Sequence, residues 1–343
     1  MSKILDPLKT QSYDYSLPKE LIATHPVEPA DAARLLVYDR KTNTITHTTF
    51  KHLLEFLPKD LNILLNDTKV IKARIFGQKT TGGKVELLFN KPMPNNTYLC
   101  LIGGKVNIGS ELLFKHELKA TVLEKNRDGS RIVKFYKQNQ ELDFLELVDI
   151  LNSIGHLPLP PYMNREDEKS DETHYQTLFA KNYGAVAAPT ASLHFTPELF
   201  EQLKQQHHVD YLTLHVGAGT FKPVEAEAIL DHPMHSEYYE VSSDAKAMID
   251  SQKPLLAVGT TVTRTIEYYF RTSQELGECD LFLNTENKPL RVNHLLTNFH
   301  LPKSTLIMLI ASFVGLEKTL ELYNLAIEEK YRFYSYGDGM LIL

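Results

Sequence analysis

The stretch YLTLHVGAGTF, residues 211–221, is an apolar run closed by two glycines and a threonine. It reads as a strand that delivers His215 to a glycine turn at its end. Upstream lies GAVAAPTASLHF, residues 184–195, again small and apolar, with His194 near its close. Strand ends in an open α/β sheet are where ligands bind. The fold therefore depends on whether strands and helices alternate around this stretch, and beyond residue 170 they do. PELFEQLKQQH, AKAMIDSQK and TRTIEYYFR read as helices, and PLLAVGTTV reads as another strand. Such alternation predicts an α/β domain with a largely parallel sheet and helices on its faces.

Between residues 62 and 137 the texture is different. NILLNDTKVI, KARIFGQKT, KVELLF, TYLCLI, GSELLF, KATVLEK and SRIVKFY are short runs punctuated by Gly, Asn and Pro. Short strands at regular spacing with tight turns predict a small antiparallel β-barrel. ELDFLELVDILNSIG follows as an amphipathic helix ended by Gly155. We therefore expect an inserted barrel domain over residues 62–150. The α/β domain is expected to take residues 1–61 and 151–343, with ARLLVYDR a strand and FKHLLEFLP a helix near its start.

The chain has 343 residues, enough for two domains, with 43% hydrophobic and 23% charged residues. Cys100 and Cys279 stand far apart and form no CxxC, which argues against a disulfide framework and fits a reducing cytoplasm. MSKILDPLKT carries no apolar signal-peptide core. TLIMLIASFVGL, residues 305–316, is too short to span a membrane and reads as a buried helix. A net charge of −6 argues against a generally basic nucleic-acid binder. It leaves room for a local basic face, and Lys69, Lys72, Arg74, Lys79 and Lys84 cluster in sixteen residues. The bland reading is a solvated strand edge kept soluble by its lysines.

GAG after a strand permits close backbone approach to a ligand, although it lacks the third glycine of a dinucleotide fingerprint. No GxxxxGK[ST] occurs. His194, His215, His235 and His300 sit beside small or turn residues, where at least one can serve chemistry rather than packing. HPMHSE places His232, His235 and Glu237 close together, but no HExxH supports a metal, and we expect none. In NFHLPKST, Pro302 opens the apolar helix with Lys303, Ser304 and Thr305 at its start, an arrangement that suits an anion or simple capping. YRFYSYGDG interleaves Arg332 with aromatics that either stack on bases or line an edge strand.

Taken together these stretches resemble the S-adenosylmethionine:tRNA ribosyltransferase-isomerase family of the queuosine pathway. The matching strings include DYSLPKELIATHP, LNDTKVIKARIFG, GHLPLPPY, YQTLFAKNYGAVAAPTASLHFT, LHVGAGTFKPV, HPMHSEYYEV, AVGTTVTRTIE, TNFHLPKSTLIMLIASF and YRFYSYGDGML, in family order along nearly the whole chain. Three places depart from the family: LIGGKV lacks the arginine of an Arg-Pro-Gly-Lys turn, NTENKP replaces a Tyr-Pro-Gly-Tyr segment, and Ser192 stands in ASLHF where the family has glycine.

The resemblance implies an α/β domain with an inserted β-barrel. It also implies transfer of the ribosyl part of S-adenosylmethionine to 7-aminomethyl-7-deazaguanine at the tRNA wobble position, giving epoxyqueuosine with loss of adenine and methionine. S-adenosylmethionine is then a co-substrate, and no further cofactor or membrane is needed; the protein is expected to be a cytoplasmic monomer. The sulfonium acidifies the neighbouring C5′ methylene, so a base is required, and an acid eases the departure of adenine. His215, His235, Glu237, His300 and Asp338 are the candidates, with base and acid left unassigned. Pro189, Thr190, His194, Gly217, Gly219, Thr220, Arg264, Lys303, Ser304 and Thr305 are expected to hold the donor, and the Lys69–Lys84 cluster the tRNA. A methyltransferase would instead release S-adenosylhomocysteine, and a non-catalytic tRNA-binding protein would consume no donor.

Overall fold

The computed structural model describes residues 5–219 and 223–343, with residues 220 and 221 placed only within the 3-10 turn Ala218–Phe221. β1 (Arg34–Asp39) folds back on β2 (Thr44–Thr49) as an antiparallel hairpin. A one-turn helix, α1 (Leu53–Phe56), leads to β3 (Asn62–Asn66), and β4 (Thr68–Val70) carries the chain out of the sheet. Seven strands follow: β5 (Arg74–Lys79), β6 (Lys84–Met93), β7 (Thr97–Gly103), β8 (Glu111–Leu113), β9 (Leu118–Lys125), β10 (Arg131–Lys137) and β11 (Gln140–Glu141).

Six of these close into an antiparallel barrel. Its order is β10-β7-β6-β5-β8-β9, with β9 pairing back onto β10. The alternation that dictates this is plain in the sequence. Val85, Leu87 and Phe89 of β6, Leu118, Ala120 and Val122 of β9, and Val133 and Phe135 of β10 all turn inward. α2 (Phe144–Ile154) packs Leu147, Val148 and Leu151 into the same core. Asp143 and Glu146 fix its start as a capping box.

The chain continues through α3 (Asp171–His174), β12 (Asn182–Ala185), α4 (Pro197–Gln206), β13 (His208–Leu214), β14 (Glu237–Val241), α5 (Ser243–Asp250), β15 (Leu255–Val258), α6 (Thr260–Thr272), β16 (Leu276–Cys279), β17 (His294–Asn298), α7 (Thr305–Val314), α8 (Leu316–Glu328) and β18 (Gly339–Ile342). The main sheet has nine strands in the order β16-β14-β13-β3-β15-β17-β18-β1-β2. β13, β3, β15 and β17 run parallel at its centre.

Two expectations need correction. The strand Asn62–Asn66 does not open the barrel, which begins at Arg74. It lies between β13 and β15 at the heart of the main sheet. Every residue of β3 is buried, as a strand covered on both faces requires, and this distinguishes it from the alternating barrel strands. The sheet is also mixed rather than largely parallel. Between β17 and β18 stand two helices, α7 and α8. A helix pair returns the chain to the end it left, so β18 must run antiparallel to β17.

The two sheets divide the charge unevenly. Residues 74–141 hold twelve Lys and Arg against six Asp and Glu, net +6, in a chain of net −6; the remainder is thus −12. Among the described residues no helix is long and apolar enough to cross a membrane.

Candidate active site

His215 follows the last residue of β13. Its main-chain N–H donates to the Tyr238 carbonyl at 2.9 Å, and its Nδ1 lies 2.7 Å from the Thr68 hydroxyl. The ring stacks on Tyr238 with centroids 5.8 Å apart. On another side is Gly184, where a Cβ would stand 2.7 Å from the ring and φ is +152°, so glycine makes the room. Burial pushes the His215 pKa down to about 4. At neutral pH the ring is uncharged and able to accept a proton.

The glycine turn is held from both parts of the molecule. Gly217 N–H donates to Glu237 Oε1 at 2.9 Å, and Ala218 N–H donates to the side chain of Asn90, at the register shift inside barrel strand β6, also at 2.9 Å. Glu237 Oε2 accepts from Arg264, a buried ion pair. The other arms of Arg264 donate to the carbonyls of Leu281 and Cys279, each at 3.1 Å. At Gly219 a Cβ would come within 2.7 Å of His235. Gly217, Gly219, His235, Glu237, Arg264 and Thr305 form one side of a cleft, and Asn90, Lys91, Leu99 and Leu101 of the barrel form the other. A smaller recess shares Gly217 and Glu237 and adds His215 and Glu278.

A second cavity opens at the ends of β15 and β17. Pro189, Thr190, Thr260, His300 and Tyr334 are among its walls, and Leu306 belongs both to it and to the cleft. Thr190 donates to Asn298 Oδ1 at 3.0 Å, and Asn298 Nδ2 donates to His194 Nε2 at 3.2 Å. His194 stacks on Phe50, centroids 4.0 Å apart. His300 Nε2 is 2.8 Å from the Thr297 hydroxyl. Burial lowers the pKa of both histidines to about 3, helped at His194 by the charge of Arg332. The cavity wall includes Gly259 and Thr260 at the start of α6, a helix end with no side-chain cap.

Most of the catalytic and donor-site candidates therefore line the cleft, its recess or the second cavity, with His194 one hydrogen bond behind. Others lie elsewhere. Asp338 accepts main-chain N–H groups from Arg34 at 2.9 Å and Arg332 at 2.7 Å, so it pins the start of β18 to its neighbours. Lys303 pairs with Asp14 at 3.3 Å, and Ser304 caps α7 by accepting from Ile307 N–H at 3.3 Å. Of that trio only Thr305 reaches the cleft. Thr220 lies outside the described residues.

On the basic segment, Lys72 pairs with Glu172 at 2.9 Å, Arg74 with Glu86 at 2.6 Å, and Lys79 donates to the Lys105 carbonyl at 3.1 Å. Lys69 sits over the Tyr183 ring at 4.6 Å, and Lys84 is exposed. The Ser192 hydroxyl is buried with no hydrogen-bond partner among the described residues, beside the second cavity. In NTENKP, Asn284 folds the turn on itself by accepting the Glu286 N–H at 2.9 Å.

Sequence reading missed Thr68, Gly184, Asn90 and Lys91, because their importance is a matter of what they touch. Thr68 and Gly184 do fall within the matching strings LNDTKVIKARIFG and YQTLFAKNYGAVAAPTASLHFT, whose strands β4 and β12 pair.

A profile described as queuosine biosynthesis protein matches residues 10–342. A protein named S-adenosylmethionine:tRNA ribosyltransferase-isomerase from Aliarcobacter butzleri is 69% identical over 340 residues, covering 99% of this chain and 100% of its own. The protein of the same name from a Nitratiruptor species is 61% identical over the same shares. A crystal structure of S-adenosylmethionine tRNA ribosyltransferase from Thermotoga maritima aligns with a TM-score of 0.54 at 33% identity, covering 97% of this chain and all of that one. The chain belongs to the S-adenosylmethionine:tRNA ribosyltransferase-isomerase family of queuosine biosynthesis.

Proposed function

We propose that this enzyme transfers the ribosyl group of S-adenosylmethionine to 7-aminomethyl-7-deazaguanine at the tRNA wobble position and rearranges it to the epoxycyclopentane of epoxyqueuosine. One observation carries the reading. A neutral, half-buried histidine and a carboxylate stand together at one strand end, in a cleft whose opposite wall is a barrel of net +6. The cation of the donor faces Glu237 and Glu278, and the polyanion faces the barrel.

In this reading His215 takes the C5′ proton that the sulfonium has acidified. Thr68 holds the imidazole in place through Nδ1, leaving Nε2 for the proton. Glu237 stabilises the sulfonium while fixing the glycine turn, and Arg264 pairs with that carboxylate and orients it. Adenine occupies the cavity beside Pro189 and Thr190. There His300, neutral and bonded to Thr297, offers hydrogen bonding rather than a ready proton. Lys69, Lys72, Arg74, Lys79 and Lys84 contact phosphates and position the anticodon arm. The aminomethyl nitrogen, unprotonated, attacks the sugar as adenine and then methionine leave.

The test is a complete product inventory. The protein is incubated with S-adenosylmethionine and tRNA bearing 7-aminomethyl-7-deazaguanine, and every product is identified by mass. Adenine, methionine and epoxyqueuosine-containing tRNA in equal amounts are expected. Release of S-adenosylhomocysteine would mean methyl transfer and would sink the proposal.

A further inference from the structure

The outer face of the barrel carries a group that the transfer chemistry leaves unused. Phe76, in the middle of β5, is 49% exposed, while its neighbour Ile75 is fully buried. Its ring is framed. The Arg74 guanidinium lies 5.2 Å from the ring centre, and the His156 ring meets it edge-on at 5.5 Å. Arg74 is fixed by Glu86 at 2.6 Å, and His156 by Asp167 at 2.9 Å. Main-chain hydrogen bonds in both directions join Arg74 to His156, at 3.2 and 2.8 Å.

Strand register ties this frame to the cleft. Leu101, in the cleft wall, is opposite Leu88, and Leu88 is opposite Arg74. Phe76 is two residues further along the same face. Two opposite pairs span about 10 Å across the strands and two residues about 7 Å along them, at right angles, so Phe76 stands about 12 Å from the cleft wall. That is a short reach for a single-stranded polynucleotide. The side chains next to Phe76 on this face, Arg74, Gln78 and Glu86, are polar, and the nearest apolar ones, Leu88 opposite Arg74 and Leu113 opposite Gln78, are half-buried. A protein partner would need a contiguous apolar patch. A lone ring framed by a guanidinium and an imidazole, on a barrel of net +6, suits the flat face of a base on a polyanion.

We propose that Phe76 is a stacking platform for an unpaired base near the modified nucleotide, with Arg74 and His156 holding the ring in position. The proposal rests on the reading that tRNA is the acceptor. Base–aromatic stacking is sequence-tolerant and releases no counterions, so its signature differs from that of a phosphate contact.

The experiment measures tRNA affinity at several salt concentrations for wild type, Phe76→Ala, Phe76→Leu and Phe76→Trp, with S-adenosylmethionine binding and thermal melting as controls. Phe76→Ala and Phe76→Leu should raise the tRNA Kd about 5- to 150-fold with an unchanged salt slope. Phe76→Trp should restore it, and the controls should not move. A 2-aminopurine placed beside the modified position should lose stacking-dependent quenching in Phe76→Ala. Unchanged affinity in Phe76→Ala, while wild type binds tRNA, overturns the platform alone. Full affinity in Phe76→Leu overturns it too, because any apolar side chain would then serve. Failure of wild type to bind tRNA overturns the acceptor reading and the platform with it.

Discussion

The barrel and the nine-stranded sheet solve different problems with the same chain. The barrel closes on itself and is filled by a plain inward alternation, and it carries net +6. The main sheet belongs to a remainder of net −12, and it buries His194, His300 and the Glu237–Arg264 pair at or near its parallel strand ends. The barrel's one histidine, His116, is exposed. A donor that is a small cation and an acceptor that is a polyanion ask for opposite fields. In the proposed reading, segregating the charge lets one cleft, lined by residues of both parts, serve both.

The comparison breaks first at His215. If chemistry belongs to the sheet, His215→Ala should lower turnover about 10²–10⁴-fold, the usual contribution of general acid–base catalysis. Unfolding in urea should show a much smaller change, since His215 is also held by its main-chain bond to Tyr238. A fall below threefold would reduce the residue to packing against Gly184 and Tyr238.

The same contrast explains what is legible in the sequence. Barrel strands announce themselves because each has one dry face and one wet face. Strand β3 has two dry faces, so its five residues carry no alternation, and pattern alone places it with the barrel beside it. The site is readable where glycine and histidine occur in one run, as at His215, Gly217 and Gly219. It is unreadable where a residue acts by contact across the fold. Thr68 is 147 positions from the histidine it holds, and Asn90 is 128 from the turn it holds. Asp338 misleads for the converse reason. A carboxylate in an aromatic, glycine-rich tail resembles a catalyst until its main-chain partners are seen.

The buried histidines give the sheet a pH sensitivity. His194 and His300 have folded pKa values of about 3, below the ordinary value of 6.5. The folded state thus binds fewer protons than the unfolded chain. Their contribution to stability is complete above about pH 6.5 and is lost as pH falls towards 3. Each should remove up to about 1.4 kcal/mol per pH unit in that window. Urea unfolding at pH 7, 6 and 5 measures it, and replacing His194 or His300 with glutamine should flatten the profile. A wild-type profile that is flat between pH 7 and 5 would contradict buried, neutral histidines.

Charge on the barrel should matter in proportion to the phosphates it meets. Lys72→Glu with Lys79→Glu should weaken tRNA binding and reduce its salt slope by about 0.7–0.9 for each phosphate that is no longer neutralised. S-adenosylmethionine binding should hardly change. Lys72 already has Glu172 at 2.9 Å, so reversal there also sets two carboxylates together, and Glu172→Gln serves as a control. If affinity and slope both survive the double reversal, the segment is a solvated edge and the RNA lies elsewhere.

The smallest expected effect probes the seam between the two parts. Asn90 is a barrel residue, yet its side chain accepts the Ala218 N–H in the turn that follows His215. Lys91 beside it reaches Glu278 at 2.8 Å, a second link across the same cleft. Removing one neutral hydrogen bond costs about 0.5–1.5 kcal/mol, so Asn90→Ala should raise KM for S-adenosylmethionine by no more than about tenfold. The informative quantity is what happens when tRNA is bound. If the barrel presses the turn into its working shape, the defect should grow or shrink as tRNA saturates, because the same seam carries both loads. If the seam is a passive joint, the defect should be the same with and without tRNA. Equilibrium binding of S-adenosylmethionine to wild type and Asn90→Ala, in the presence and absence of unmodified tRNA, separates the two outcomes. A constant defect would mean that barrel and sheet share a cleft without communicating through Asn90.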